Sequence, residues 1–278
     1  MIDARQLNKI IENALAEDVG TGDITTASTV PEGTRIAGRF LAKGQGVLCG
    51  TEVVKAVFAY VDKSILLDFH FSDGDALKAG DVIADIHGDA ANILTGERTA
   101  LNLLQHMSGI ATRTQETVAL VRGYDVRILD TRKTTPGLRV LEKYAVRVGG
   151  GHNHRFSLAD GILIKDNHIQ AAGGIANAVD AARGRAPFTL KIEVETETMR
   201  QVREALDVQA DIIMLDNMTV ETMKEAVSLI GGRAVVEASG NMGQRDIREV
   251  AAAGVDCISL GDLTNSVRPL DISLELEM

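Results

Sequence analysis

Short apolar segments alternate with segments of helical periodicity from residue 126 onward, and this alternation constrains the fold more than any other feature. The strand candidates are residues 126–129, 162–164, 190–194, 212–215, 234–236 and 257–260. Helix candidates lie between them, at residues 138–148, 175–183, 198–206, 220–229 and 244–253. Strands that are apolar throughout and separated by helices are typical of a parallel sheet covered on both faces.

The regular spacing of these strand–helix units favours a barrel over an open sheet. The six strand candidates fall short of the roughly eight strands of a complete barrel. The sequence therefore predicts an α/β fold built on an incomplete, TIM-like parallel α/β barrel. A doubly wound sheet is the alternative, because it shares the same alternation of strands and helices.

The N-terminal part of the chain has a different, α+β pattern, which indicates a separate domain. A helix is predicted at residues 7–17, a loop at 20–26 and a second helix at 52–61, with strands at 35–42, 65–71 and 82–86. A long helical region at 92–121, interrupted near Gly109, leads into the barrel. The predicted domains are residues 1–108 and 109–269, and the alternating segment 270–278 is expected to return to the first domain as a strand.

The overall charge argues against two classes of partner. The 278 residues carry a formal net charge of −10, which disfavours binding to nucleic acid or to an anionic membrane. The sequence shows no run of 18 apolar residues and no apolar leader. The two cysteines, Cys49 and Cys257, lack CxxC spacing and are predicted to be core residues in a reducing compartment. We therefore expect a cytoplasmic protein.

One segment departs from this acidic background. Residues 130–165 contain seven Lys or Arg against three Asp or Glu, which predicts a focused site for a small anion. Three of these cations, Arg139, Lys143 and Arg147, are spaced four apart as on one face of a helix. We interpret them as a solvated, salt-bridged face and leave them out of the site.

Polar residues follow every predicted strand, where a barrel gathers its functional side chains. Cations come first along the chain: Arg132, Arg155 and Lys165 could clamp carboxylates. Acids follow, and Glu193 and Asp216 could hold sugar hydroxyls or Mg²⁺. Small residues come last: Ser239, Gly240 and Gly261 could cradle a phosphate with their backbone N–H groups. The pattern suits a ligand with carboxylates at one end and a phosphorylated sugar at the other.

Other chemistries fit these residues less well. His152 and His154 alternate as on a strand, but zinc would need further ligands near them. A Schiff base at Lys165 would require an apolar pocket, whereas its neighbours are polar and charged. The histidines without an evident partner are interpreted as structural: His70, His87 and His106.

Several motifs together closely resemble the quinolinate phosphoribosyltransferase family. The central ones are DTRKTTPGLR (130–139), EKYAV (142–146), GGGHNHR (149–155) and LIKDNH (163–168). The likeness extends over nearly the whole chain, through EDVGTGDIT (17–25), GERTALNLL (96–104), LDN (215–217), EASG (237–240) and VDCISLG (255–261).

The resemblance implies a fold, a reaction and a set of ligands. The fold is an N-terminal α+β sandwich domain followed by an incomplete α/β barrel. Quinolinate and phosphoribosyl pyrophosphate (PRPP) would give nicotinate mononucleotide, pyrophosphate and carbon dioxide, a step of de novo NAD biosynthesis. It implies that quinolinate is bound by Arg132, His154, Arg155 and Lys165 and by Arg98 of the partner subunit in a homodimer. It implies that PRPP and its Mg²⁺ are bound by Lys133, Glu193, Asp216, Ser239, Gly240 and Gly261. Lys133, Lys165, Glu193 and Asp216 would be the catalytic residues, with Glu193 and Asp216 as the metal ligands.

Two other functions share this pattern. A phosphoribosyltransferase specific for nicotinate would need to bind only one carboxylate. A non-catalytic barrel that binds a phosphorylated ligand would not need Lys133 or the two acids Glu193 and Asp216.

Overall fold

The computed structural model describes residues 2–277. Its helices are α1 (Ala4–Val19), α2 (Ile24–Thr29), α3 (Thr51–Val61), α4 (Ala90–Leu120), α5 (Arg139–Val148), α6 (Asp166–Ala172), α7 (Ile175–Arg185), α8 (Met199–Asp207), α9 (Val220–Ile230), α10 (Ile247–Ala251) and α11 (Asp262–Asn265). Its strands are β1 (Arg35–Ala42), β2 (Gly46–Val47), β3 (Leu66–Phe69), β4 (Ala76–Leu77), β5 (Val82–Asp89), β6 (Arg127–Leu129), β7 (Ile162–Ile164), β8 (Ile192–Thr196), β9 (Ile212–Asp216), β10 (Val235–Ser239), β11 (Cys257–Ser259) and β12 (Ile272–Leu276).

The chain forms two compact units. The first combines the chain up to Gln115 with Thr135–Gly150 and the segment from Leu263 onward. The second consists of Glu116–Thr134 and Gly151–Asp262. No helix within residues 2–277 is both long and apolar enough to cross a bilayer.

An antiparallel sheet of order β12-β1-β5-β3 forms the framework of the first unit. The C-terminal strand β12 pairs with β1, with Leu274 opposite Phe40. Phe40 is fully buried and meets Phe58 of α3 edge-to-face, with ring centroids 6.3 Å apart. Because α1 carries Leu7, Ile11 and Leu15 at helical spacing, it buries one apolar face.

The predicted interruption of the long helix at Gly109 is wrong. Helix α4 is 31 residues long and passes through Gly109 without a break. A Cβ atom at Gly109 would lie 2.3 Å from the backbone oxygen of Arg268. The glycine therefore permits close backbone approach and does not break the helix.

Two short helices were not predicted from the sequence, and the first overlaps the loop predicted at residues 20–26. Residues 24–29 form α2, whose first turn is capped by the Asp23 side chain through the amide of Thr26. Residues 166–172 form α6 directly after Lys165. His168 of α6 accepts a hydrogen bond at Nδ1 from the Lys165 amide, 3.0 Å away, and so fixes the start of this helix.

Helix α5 follows β6 in the chain but belongs to the first unit, which thereby takes in a segment that the predicted boundaries assign to the barrel. Its Tyr144 hydroxyl donates to Asp73 at 2.8 Å. Its Glu142 is fully buried and lies 2.8 Å from Nε2 of His106, a histidine that showed no partner in the sequence. Lys143 is also fully buried, so the interpretation of a solvated helix face is wrong at this position.

The second unit confirms the predicted incomplete barrel. Its parallel strands follow the order β6-β11-β10-β9-β8-β7, so the first strand pairs with the last and the others follow in sequence. This is the circular order of a barrel that is open between β6 and β7. A doubly wound sheet would instead reverse direction at an internal strand. His152 makes an isolated parallel bridge with Leu129 at the β6 edge.

Candidate active site

A cavity of about 550 Å³ lies at the carboxyl ends of the barrel strands. We call it the carboxyl-end cavity. Eight of the residues predicted from the sequence line it: Arg132, Lys133, His154, Arg155, Lys165, Asp216, Ser239 and Gly240. They come from segments far apart in the chain and meet here because parallel strands bring their carboxyl ends to one mouth.

Three predicted residues lie elsewhere. Glu193 is buried in the barrel interior and does not line this cavity. Gly261 follows β11 but is likewise absent from the lining. Arg98 is an exposed residue of α4 in the first unit.

Glu195 lines the carboxyl-end cavity and was missed in the sequence. It lies on β8 two residues after Glu193, so the two acids share one face of the strand. Glu195 is nearer the carboxyl end of β8. Had the end of this strand been predicted at Thr196, Glu195 would have been predicted as the site residue. Its Oε2 atom accepts from Lys165 Nζ at 2.9 Å.

The cationic part of the cavity contains both predicted arginines. The Arg155 guanidinium donates to the backbone oxygen of Gly161 at 3.0 Å. Burial, and then repulsion by Arg132, lower the pKa of Arg155 below its usual range. Two guanidinium groups held close enough to repel each other favour an anion between them.

Asp130 anchors the loop that carries His154 and Arg155. This aspartate is fully buried and accepts hydrogen bonds from the Asn153 side chain at 2.6 Å and from the His154 amide at 2.9 Å. Asp130 is the first residue of the basic segment 130–165, and no role was predicted for it. Its position immediately after a strand, before a run of cations, was the available signal.

The His154 ring points into the barrel interior, towards two acids. Its Nε2 atom lies 3.0 Å from Glu193 and 3.6 Å from Glu237, while its Nδ1 accepts from the Arg155 amide at 2.8 Å. Burial, and then the neighbouring Glu193, raise the pKa of Glu237 to about 7. The same three side chains reach a second cavity of about 570 Å³ at the amino ends of the strands, which we call the amino-end cavity.

This trio is a candidate metal group by composition, since its ligand atoms lie within 4.8 Å of one another. The tautomer argues against metal binding. A neutral histidine that coordinates a metal through Nε2 carries its proton on Nδ1. In His154 the Nδ1 atom accepts a hydrogen bond from the Arg155 amide, so it carries no proton of its own. The ring proton therefore lies on Nε2, facing Glu193.

A tight glycine turn forms another part of the carboxyl-end cavity. Gly240 follows β10 with φ of +89°, and a Cβ atom there would lie 2.4 Å from Oδ1 of Asn217. The Asn217 amide donates to the Ser239 oxygen at 3.0 Å, and Asn241 donates to the Asn217 side chain at 3.2 Å. These bonds fix two strand-end loops against each other and leave room only for glycine.

Comparison with known protein families gives a consistent result over nearly the whole chain. Residues 23–108 match the model of the quinolinate phosphoribosyl transferase N-terminal domain. Residues 110–275 match the model of the C-terminal domain of the same family.

Named relatives agree with these matches. A probable nicotinate-nucleotide pyrophosphorylase (carboxylating) of Bacillus subtilis is 46% identical over 98% of this chain and 94% of the relative. A mitochondrial quinolinate phosphoribosyltransferase (decarboxylating) of Nicotiana tabacum is 42% identical over 98% of this chain and 82% of its own.

A solved structure extends the agreement to three dimensions. The nicotinate-nucleotide pyrophosphorylase of Francisella tularensis superposes with a TM-score of 0.94 at 38% identity, covering 100% of this chain and 98% of that one. The matched family models together span both structural units. The chain therefore belongs to the quinolinate phosphoribosyltransferase family.

Proposed function

We propose that this chain transfers the phosphoribosyl group of PRPP to quinolinate in its carboxyl-end cavity. The products are nicotinate mononucleotide, pyrophosphate and carbon dioxide, and the step belongs to de novo NAD biosynthesis. The single observation that carries the proposal is the division of one cavity into a cationic part and a glycine turn. These two parts match the two chemically different ends of the reacting pair.

The cationic part binds the dianionic substrate. Arg132 and Arg155 supply two guanidinium groups, which bind carboxylates in a bidentate manner. Lys165 adds a point charge on the same side, held by Glu195. Arg98 of the partner subunit is the fourth cation, as the family resemblance implies.

The glycine turn binds the phosphorylated sugar. Ser239 and Gly240 offer a hydroxyl and backbone N–H groups to a phosphate, and Gly261 follows the neighbouring strand β11. Lys133 extends the positive charge towards the pyrophosphate. Asp216, at the end of β9, accepts hydrogen bonds from ribose hydroxyls.

Mg²⁺ fits Glu195 and Asp216 better than the expected pair Glu193 and Asp216. Both Glu195 and Asp216 line the carboxyl-end cavity, whereas Glu193 faces His154 in the interior. Magnesium is commonly held by one or two carboxylates together with substrate phosphates. When bound, the ion would neutralise charge on the departing pyrophosphate.

The chain's own residues then act through position and charge. Departure of pyrophosphate leaves positive charge on the sugar, and Lys133 stabilises the negative charge that develops on the leaving group. The ring nitrogen of quinolinate bonds to C1 of the sugar as the bond from C1 to pyrophosphate breaks. Loss of carbon dioxide from C2 of the ring then leaves negative charge on C2, beside the ring nitrogen, until a proton from water bonds to C2. The guanidinium groups of Arg132 and Arg155 favour that charge.

One assay distinguishes this function from its rivals. The purified protein is incubated with Mg²⁺, PRPP and either quinolinate or nicotinate, and mononucleotide and carbon dioxide are followed. We expect product and carbon dioxide from quinolinate. Product from nicotinate alone would select the nicotinate-specific enzyme, and no product from either would favour the non-catalytic barrel.

Lys165→Ala tests whether the lysine charge contributes to the reaction. The substitution removes a cation from the quinolinate side and leaves Glu195 without its partner. We expect turnover to fall by about a hundredfold, the order seen when one group that stabilises developing charge is lost. Turnover close to the unmodified rate would refute the role of this lysine.

Oligomeric state and compartment complete the proposal. The chain works as a homodimer with a shared active site, as the resemblance implies. The cytoplasm is proposed because Cys49 and Cys257 are both free and buried, which suits a reducing compartment.

A further inference from the structure

We propose that Glu193 is a positioning residue: it holds the His154 ring through Nε2–H and, through that ring, sets the backbone from which the Arg155 side chain extends. The inference deepens the proposed function, on which it rests, by giving Glu193 and His154 a role that differs from direct substrate contact. Four hydrogen bonds carry it: two at the His154 ring, one at the His154 amide and one at the Arg155 guanidinium.

The first contact fixes the tautomer of His154. The Arg155 amide donates to Nδ1 at 2.8 Å, which requires a lone pair on that nitrogen. The ring proton must then be on Nε2. That nitrogen lies 3.0 Å from Oε2 of Glu193, a normal distance for N–H donation to a carboxylate.

This tautomer determines which groups the His154 ring can bind. Both ring nitrogens of His154 are engaged within the protein, one as acceptor and one as donor. A substrate carboxylate needs a donor, and the ring's single N–H is directed at Glu193. The ring of His154 therefore links Glu193 to the backbone of Arg155.

Arg155 is the residue whose position these hydrogen bonds fix. Arg155 has its amide bonded to the His154 ring and its guanidinium bonded to the Gly161 oxygen at 3.0 Å. Asp130 separately holds the His154 amide at 2.9 Å. The backbone on both sides of the His154 side chain is thus fixed by hydrogen bonds, and the Arg155 side chain, which lines the carboxyl-end cavity, extends from this fixed backbone.

Glu193 is better placed than Glu237 to hold the ring. The His154 Nε2 distance is 3.0 Å to Glu193 and 3.6 Å to Glu237. Glu193 is 3% exposed and lies outside the carboxyl-end cavity, so it cannot act by touching a substrate there. Its effect must pass through His154.

Two substitutions of Glu193 test the proposal kinetically. Glu193→Gln keeps a carbonyl oxygen that accepts from Nε2–H, whereas Glu193→Met keeps the volume and removes the acceptor. We expect Glu193→Met to raise the KM for quinolinate about ten- to a hundredfold, as loss of an orienting partner typically does. The KM for PRPP should change less than about twofold, because this contact lies on the quinolinate side. Glu193→Gln should restore the quinolinate KM to near the unmodified value.

Other kinetic outcomes overturn the proposal. Equal rises in both KM values would indicate a merely structural role, and so would failure of Glu193→Gln to restore quinolinate binding. An unchanged quinolinate KM in Glu193→Met would show that the contact is not used.

A spectroscopic test covers the case in which Glu193→Met does not fold. The unmodified protein is labelled with ¹⁵N-histidine, and the His154 ring signals are assigned by their loss in His154→Gln. We expect the shifts of the Nε2–H tautomer, with Nδ1 unprotonated. A Nδ1–H tautomer would overturn the proposal. This measurement needs no turnover, so a failed quinolinate assay and a failed positioning role remain distinguishable.

Discussion

Two features restrict position 240 to glycine: its backbone conformation and the close approach of Asn217. Its φ of +89° lies in the region that favours glycine, and the Asn217 amide nitrogen would lie 2.7 Å from an added Cβ. Asn217 itself has a left-handed backbone with φ of 54°. Because the two loops meet this closely, a side chain at position 240 must displace one of them.

Gly240→Ala is therefore expected to impair PRPP binding more than quinolinate binding. The KM for PRPP should rise by at least about tenfold, since a displacement near 1 Å at a binding group can cost more than that. Steady-state kinetics with each substrate varied would measure the two effects. Equal KM values in variant and unmodified protein would contradict the fit of a phosphate against this turn.

Gly231→Ala is the matched control for this prediction. Gly231 also has a positive φ, +56°, but it ends α9, and the nearest atom to an added Cβ is the Ser228 oxygen at 3.6 Å. The substitution should cost about 1 kcal/mol of stability for the strained backbone. It should leave both KM values unchanged.

Glu237 should make stability depend on pH in the mildly acidic range. Burial, and then the neighbouring Glu193, raise its pKa from 4.5 to about 7 in the folded protein. Between these values the folded carboxyl retains a proton that the unfolded one has released, so the free energy of unfolding falls as pH rises. The slope is at most about 1.4 kcal/mol per pH unit for one proton.

Glu237→Gln should flatten this dependence, because the amide does not titrate. Urea unfolding at pH 5, 6 and 7 compares the variant with the unmodified protein. The exposed Glu197, which follows β8, provides the control substitution Glu197→Gln, expected to leave the slope unchanged. Parallel stability curves for Glu237→Gln and the unmodified protein would refute the assignment.

At the scale of whole elements, Gly109 in the middle of α4 and Gly184 in the last turn of α7 offer a comparison between two helical glycines. An alanine Cβ at position 109 of α4 would meet the Arg268 oxygen at 2.3 Å, whereas position 184 of α7 has nothing within 4 Å. Overpacking typically costs about 1–3 kcal/mol. Replacing an uncrowded helical glycine by alanine gains about 0.5–1 kcal/mol.

Gly109→Ala should therefore lower the free energy of unfolding and Gly184→Ala should raise it. Chemical denaturation of the two variants measures both changes against the same reference. A stabilised Gly109→Ala would mean that helix α4 and the Arg268 segment are not packed this closely.

The strands and helices of the barrel could be predicted from the sequence, but the position of each side chain along the barrel axis could not. Apolar periodicity correctly identified β8, although its bounds were predicted as 190–194 and are Ile192–Thr196. That shift of two residues moves Glu193 from the strand end to the interior and brings Glu195 to the cavity. Alternation along a strand reports which face a residue occupies and not how far along the barrel it lies.

Helix α5 shows a second limit. Its spacing of charges is the same for a solvated face as for a buried one, and only packing decides between them. The pairing of Glu142 with His106 links positions 36 residues apart, which no local pattern reveals. Lys165 and Gly240 could be predicted because they directly follow strands β7 and β10, where the fold itself determines their location. Arg155 lies in the loop before β7, and the basic composition of its segment was the signal for it.

At the scale of the whole molecule, the proposed homodimer makes a sharp prediction about Arg98 and Arg132. If Arg98 completes the site of the partner subunit, then Arg98→Ala and Arg132→Ala inactivate a dimer by damaging the same sites from different chains. A hybrid dimer of the two variants then contains one site with both defects and one site with neither. When the two variants are co-expressed and pair at random, half of the dimers are hybrids, and each hybrid has one intact site. About a quarter of all active sites should therefore be intact.

The two variants carry different affinity tags, are co-expressed and are purified on both tags in turn. The activity of the resulting hybrid dimers is compared with that of each variant alone. Hybrid dimers isolated in this way should regain about half of the unmodified activity per dimer, one intact site of two. If Arg98 instead served the cavity of its own chain, every site of a hybrid would keep one defect. Activity no greater than that of the single variants would then exclude a shared site, whereas recovery requires that Arg98 cross to the partner.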